Sequence, residues 1–539
     1  MPLDDLVLAA QRAVDRLVRW LRHGPPPVQA HRRLLIVQID GLSRDVLEHA
    51  LASGRMPFLR RRLRSGSHRL EPMSVGLPTS TPAFQLAAMY GVHPDIPGFH
   101  YYDRGIAGDI HFPRPGHAAF VEEQQAAGRA GIVQGGSAYG CVFAGGADNH
   151  LFTLHTMTRP SGRGVLPVVS AFVVLGWVVV KCLARTILEL LRAVLRFVAD
   201  PVGGVRGWRW RTMKLGLSHW VRELFTLAAS RDLYAGAPTV YVNYLDYDVV
   251  AHAFGPRSRR ALASLRRVDR ALRQLWRVTR RVPEHRYDVY VLADHGQAPS
   301  TPYHDLSGGR HLERWIFERF LGGAGPEPSA PGRGLARGIR ASRLGTVGLV
   351  QRFLHYLDED FLRRGDPEAW ERDGIRVISA GPNAFLYVLD APGPLDVDAL
   401  DERLPGLAEE LSRSPGVGFV LARSGSGPVC FWRGKRFVLG PGDPGPFAGR
   451  VDTALVVQGI TELMSMANAG DLVIYGTDAP EGHVSYIAEK GAHAGHSPAE
   501  MQTFVVHPAR VTLPSPLTHP VQLYDHFIRS QGRHPDARR

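Results

Sequence analysis

Cysteine is nearly absent: Cys141, Cys182 and Cys430 are the only three in 539 residues, each isolated from the others. That spacing excludes a disulfide framework and a CxxC metal site, and it fits a reducing compartment. The opening residues lack the basic, apolar, small-residue order of a signal peptide, so the expected location is the cytoplasm or the cytoplasmic face of a membrane. No low-complexity run or short-period repeat is present. Nor is there a basic-aromatic nucleic-acid motif; clusters such as Arg60-Arg61-Arg62 and Arg257 to Arg260 read as solvated helix faces.

What is there is a basic globular chain. Net charge is +13 with 64 Lys and Arg, most of them Arg, which favours anionic partners such as phosphorylated substrates or acidic headgroups. Apolar residues make up 44% and charged residues 21%, ordinary for a folded protein, and the length calls for more than one simple core. From Leu6 to Leu21, Leu6, Ala10, Ala13, Val14, Leu17 and Leu21 share one face opposite Arg12, Arg16, Arg19 and Arg22. Such a helix either packs on the domain surface or lies as a basic anchor in a membrane interface.

Three short apolar runs end in or near a carboxylate: Arg33 to Asp40, Thr239 to Asp246 and Tyr287 to Asp294. Continuous runs separated by helical stretches imply a largely parallel sheet covered on both faces. Ligands of such folds bind at the carboxyl ends of the strands, where Asp40, Asp248 and Asp294 fall. The expected organisation is an N-terminal helix and linker (1–30), a catalytic α/β core in three parts (31–158, 231–302 and 471–525), an apolar and basic helical insert (159–230), a small α/β cap (303–470) and a polar tail (526–539). Within the cap, strands are expected at Ala384 to Asp390 and Gly416 to Ala422, a helix near Leu400 to Leu411, and a return to the main sheet at Asp471 to Gly476.

Five blocks hold residues suited to metal chemistry. They are Asp40-Gly41, Pro78-Thr79-Ser80-Thr81-Pro82, Asp246 to Pro256 with Asp248 and His252 four apart, Asp294-His295-Gly296, and Gly491-Ala492-His493-Ala494-Gly495-His496. A hydroxyl opening a helix sits where N–H groups and the dipole favour an anion. Residues four apart share one face of a helical turn. Taken singly, each block has an ordinary structural reading as a cap, turn or solvated loop.

Their order resembles the type I phosphodiesterase/nucleotide pyrophosphatase branch of the alkaline phosphatase superfamily, from about Leu34 to Pro508 without the insert. The resemblance implies an alkaline-phosphatase-like α/β fold and a hydrolase of phosphate esters. It implies two divalent metal ions: one held by Asp40, Asp294, His295 and the nucleophile, the other by Asp248, His252 and His493. Thr81 is the implied nucleophile, with Ser80 and Thr79 as alternatives, and His496 is the alternative to His493. Mixed Asp/His ligation suits Zn2+, with Mn2+ compatible. Two ions about 4 Å apart activate the attacking oxygen and neutralise the phosphoryl group and leaving alkoxide. The implied route is double displacement through a phospho-threonine. A phosphoryl or phosphoethanolamine transferase, or a membrane-tethered scaffold, is the alternative reading. One departure bears on substrate: the Asn that such nucleotide pyrophosphatases carry some way after the nucleophile is missing from Gly98 to Asp103, where His100 or Tyr102 would have to replace it.

The insert holds a charge-free run from Gly164 to Val180, followed to about Val198 by a helix with Lys181, Arg185, Glu189, Arg192 and Arg196 in one stripe, and then Trp208, Trp210 and Trp220. That run is at the lower limit for a span. With ligand blocks on both sides, residues 164–198 suit a re-entrant or interfacial membrane element, or else a soluble helical subdomain or dimer interface. Sequence does not define the oligomeric state.

Overall fold

The computed structural model describes residues 32–112, 114–148, a scatter of helical residues between 176 and 195, 220–322 and 370–533. The expected N-terminal helix, most of the apolar insert, Trp208, Trp210 and residues 323–369 of the cap lie outside the described residues.

The central sheet has six strands in the order His68–Ser74, Gln502–Pro508, Tyr287–Leu292, Arg33–Ile39, Thr239–Tyr244 and Ser137–Tyr139. Arg33–Ile39 pairs in parallel with both Thr239–Tyr244 and Tyr287–Leu292, while Gln502–Pro508 runs antiparallel to its two neighbours. It is therefore mostly parallel. The three inner strands are apolar on both faces because both are covered: Leu35, Val37, Val240 and Val291 enter one buried cluster, Leu34, Ile36, Tyr241 and Tyr290 another. Helix Arg259–Arg281 presents Leu265, Val268, Leu272 and Leu275 to the first of these and most of its arginines, though not buried Arg267, to solvent. Helix Thr81–Tyr90 lies in the second cluster and ends on Gly91 at φ 67, where a Cβ would come within 2.3 Å of the Tyr524 ring. Gly91 meets both requirements, left-handed backbone and close approach.

A second, seven-stranded sheet is antiparallel throughout its observed pairings, with Leu472–Tyr475 at its centre between Asn383–Val388 and Phe419–Ala422. This corrects the expected return to the main sheet at Asp471. A strand buried on both faces reads as an unbroken apolar run whichever sheet receives it. The helix expected near Leu400 to Leu411 is two helices, Val397–Arg403 and Leu407–Leu411, interrupted at Pro405 and at Gly406 with φ 71. Two boundaries also move. Helix Arg222–Ala235 crosses the expected end of the insert and buries Phe225, Ala229 and Leu233 against the sheet. Helix Val521–Ser530 runs into the expected polar tail with Phe527 and Ile528 buried.

The small hairpin His100–Asp103/Gly108–His111 is tied to the second sheet by polar contacts. Buried Asp471 accepts two 2.8 Å bonds from Arg104 Nη2, and also receives the N–H groups of Val388 and Leu395. Among the described residues no helix is long and apolar enough to cross a membrane.

Candidate active site

Asp40 follows strand Arg33–Ile39 and is 2% exposed; Asp294 and His295 follow Tyr287–Leu292 and are fully buried. Because the strands are parallel and adjacent, their carboxyl ends place these groups side by side across 254 residues of sequence. Asp40, Asp294 and His295 offer ligand atoms within 4.8 Å of one another. His295 Nε2 is 3.6 Å from Asp40 Oδ1 and 3.4 Å from Asp294 Oδ2.

Thr81 is the first residue of its helix, after Ser80 at φ −140 and before Pro82. Its Oγ1 lies 3.3 Å from Asp40 Oδ1 and 3.1 Å from His295 Nε2. The two alternative hydroxyls go elsewhere. Thr79 Oγ1 donates to the Gly495 carbonyl and accepts from Ala494 N–H, while buried Ser80 Oγ has no hydrogen-bond partner among the described residues.

Asp248 and His252 lie on helix Asp246–Phe254, which follows strand Thr239–Tyr244, and their separation of four brings His252 Nε2 to 3.3 Å from Asp248 Oδ2. His493 comes from a loop whose Ala494 has φ 108, an unfavourable backbone for a residue with a Cβ. Thr79 holds that loop three times, since its carbonyl also faces His493 Nδ1 at 2.8 Å, and Tyr475 OH donates to the Ala494 carbonyl at 3.2 Å. Asp248, His295 and His493 form a second group with ligand atoms within 4.8 Å. The His295 and His493 rings stack at 3.8 Å, so the two expected ligand sets meet. Gly41, at φ 69, closes the arrangement: a Cβ there would fall 2.3 Å from Asp248 Oδ1.

All seven expected site residues, Asp40, Thr81, Asp248, His252, Asp294, His295 and His493, converge at one end of the central sheet. His496 does not. It is fully buried, stacked on Phe419 at 5.1 Å and within 3.3 Å of Asp478. Neither proposed replacement for the missing Asn is turned to this cluster: His100 faces Asp109 at 3.5 Å, and Tyr102 packs on Tyr387 beneath Arg376. Phe99, just before that hairpin, places its ring 6.3 Å from that of His493.

The charge pattern fits divalent metal. Burial first, then repulsion from Asp294 and Asp248, pushes the Asp40 carboxyl well above its usual range. Asp294 rises to about 7, chiefly through burial with Asp248 adding repulsion. Asp294 Oδ2 is buried without a hydrogen-bond partner, and among the described residues no Lys or Arg pairs with Asp40, Asp248 or Asp294. Burial holds His295 at about 4 and, with repulsion from His295 and His252, His493 at about 3, leaving both imidazoles neutral. Neutral imidazoles beside crowded carboxylates are the protonation states that bind a cation. Asp248 and His493 are partly exposed whereas Asp40, Asp294 and His295 are not, so the cluster meets solvent on the Asp248–His493 side.

Three supporting residues were not expected from sequence. Asn243 Nδ2 donates to Asp40 Oδ2 at 2.6 Å, Gln297 Nε2 donates to Asp248 Oδ1, and Glu489 Oε2 lies 2.7 Å from His252 Nδ1. Glu489 is 3% exposed and is itself held by the Ser485 hydroxyl at 2.7 Å. With the Gly491 carbonyl 2.8 Å from the same Nδ1, it fixes the ring so that Nε2 faces Asp248. Carboxylates in that position typically contribute about 10–100-fold to metal affinity. Glu489→Gln is expected to weaken divalent-metal binding by about that factor, read by competitive titration against a chromophoric chelator. Unchanged affinity would remove Glu489 from this role.

The type I phosphodiesterase / nucleotide pyrophosphatase family model matches residues 34–323, more than half of the chain and four of the five blocks. The chain belongs to that family. It is accordingly a phosphoester hydrolase. Among solved structures it is similar to the phosphonoacetate hydrolase of Sinorhizobium meliloti 1021, determined in complex with phosphonoacetate and with phosphonoformate. Each of these matches at 15% identity and a TM-score of 0.47, over 93% of this chain and 96% of that one. No curated protein matches the chain.

Proposed function

We propose that this hydrolase cleaves phosphodiesters by double displacement at Thr81, in a centre that binds two Zn2+ ions. One observation carries the reading: a buried threonine hydroxyl at a helix N-terminus lies within 3.3 Å of an aspartate and a histidine of the metal-type cluster. Asp40, Asp294 and His295, with Thr81, would hold one ion, and Asp248, His252 and His493 the other. Bound there, the ions would supply Lewis-acid activation and neutralise charge on the phosphoryl oxygens and the leaving group.

The remaining work falls to the chain. Helix Thr81–Tyr90 directs its free N–H groups and positive dipole end at the reacting phosphoryl group. Thr81 Oγ gives its proton to solvent and attacks phosphorus; an Oγ–P bond forms as the ester P–O bond breaks, and the leaving arm departs with that electron pair and takes a proton from solvent as the alcohol. Water then attacks the same phosphorus, the Oγ–P bond breaks, and the threonine hydroxyl is restored. Asn243 orients Asp40, Gln297 orients Asp248, and Glu489 orients His252 throughout.

The insert supports a membrane-proximal substrate. Val180, Leu183, Ile187, Leu191, Val194 and Leu195 are each between 47% and 70% exposed on the described helical residues. A run of large apolar side chains in water marks a surface for lipid or another apolar partner. The test is a panel of chromogenic mono- and diesters in solution, alongside a phosphodiester lipid in anionic vesicles. Diesters are expected to be hydrolysed faster than monoesters, and the protein is expected to float with the vesicles. Monoester preference overturns the diester assignment, and failure to float overturns the membrane one.

A further inference from the structure

Beside helix Thr81–Tyr90 lies a cavity of about 520 Å³, lined by Ser80 and Asp294 and also by His93, Glu462 and His519. The last three come from separate segments: His93 just after that helix, Glu462 on helix Thr453–Ser465, and His519 just before helix Val521–Ser530. Their ligand atoms lie within 4.8 Å of one another. The two imidazoles stack at 4.5 Å, and His519 Nε2 is 4.0 Å from Glu462 Oε2.

We propose that His93, Glu462 and His519 form a third divalent-cation site, separate from the catalytic cluster, that ties the C-terminal helix to the helix bearing Thr81. Two imidazoles and one carboxylate favour Zn2+ or a similar first-row ion over Mg2+ or Ca2+, and three protein ligands leave a position for solvent or a ligand in the cavity. Glu462 Oε1 accepts from Gln458, but among the described residues no Lys or Arg pairs with this carboxylate, in a chain of net charge +13. Burial, reinforced by His93, holds His519 at about 4, so the ring is neutral at neutral pH. Its Nδ1 accepts from Val521 N–H at 3.2 Å; a cation on Nε2 moves the ring proton to Nδ1, and that one bond is given up. A second observation points to an occupant of the same cavity: the Ser80 hydroxyl, 1% exposed, faces it without a hydrogen-bond partner.

The test is metal stoichiometry. Chelator-stripped protein is dialysed against Zn2+ and bound metal is counted by atomic emission. His519→Ala/Glu462→Gln is expected to bind one equivalent fewer than wild type while retaining diester hydrolysis. Asp248→Asn/His493→Ala is expected to keep the equivalent that the first variant loses, and still to rise in melting temperature on Zn2+ addition. Equal stoichiometry in wild type and the His519/Glu462 variant overturns the proposal. If that variant does not fold, His93→Ala at an exposed residue is titrated instead; a loss of at least about 10-fold in affinity for one equivalent is expected, and no change overturns it. The comparison is between variants, so failure of the two-ion catalytic reading leaves this result interpretable.

Discussion

Thr81→Ala is expected to lower kcat by at least about 10³-fold, since removing a nucleophile disables the whole reacting unit. Substrate binding should change far less, because the phosphoryl-facing helix end and the metal ligands remain. The fold should survive: Thr81 makes its contacts to Asp40 and His295 within an already buried cluster, and its helix starts equally well with Ala before Pro82. Ser80→Ala is the matched control. The Ser80 hydroxyl has no partner, so its loss should leave activity near wild type and stability unchanged or slightly higher. Rapid-quench trapping sharpens the result. Wild type should yield a phosphorylated peptide containing Thr81, and the alanine variant none. Full turnover by Thr81→Ala, or a labelled Ser80, would overturn the mechanism.

The second large effect concerns the protein stripped of metal. Its folded state holds Asp294 at about 7 and Asp40 and His252 above their ordinary values, 3.8 for the acids and 6.5 for the imidazole. For His252 burial opposes the shift, and Asp248 and Glu489 outweigh it. A folded pKa above the unfolded one contributes stability at low pH that is lost as pH rises through the folded value. His295 and His493, held at about 4 and about 3, act in the opposite sense between those values and 6.5. The two sets offset each other in acid. Above about pH 6.5 the unfolded chain has none of these protons left to release, so only the folded state loses them. The melting temperature of chelated protein should therefore fall by at least about 5 °C between roughly pH 6.5 and 8.5. Zn2+-loaded protein should show no matching fall, because cations replace those protons. A flat or rising profile for chelated protein would remove this account of the buried acids.

Much of this was legible without coordinates because it is local. An apolar run ending in Asp40 or Asp294 states both that a strand is buried and where its polar end emerges. The spacing of Asp248 and His252 is satisfied by one helical turn, and Thr81 before Pro82 by a helix start. Other features were not legible, because side-chain pattern records burial without naming the neighbour. Leu472–Tyr475 is buried on both faces in either sheet, so only its pairing with Asn383–Val388 and Phe419–Ala422 placed it. His493 and His496 are both histidines of one short loop. Their separation into metal-type ligand and packing residue depends on Thr79, 414 residues earlier, and on the Phe419 ring. Glu489 is an ordinary loop carboxylate until helix Asp246–Phe254 brings His252 to 2.7 Å from it. The sequence by itself determined the kinds of ligand and the strand ends that carry them. Only the tertiary structure decided which hydroxyl faces Asp40 and His295, which histidine joins them, and which buried groups hold them in place, since those choices rest on contacts between residues hundreds of positions apart.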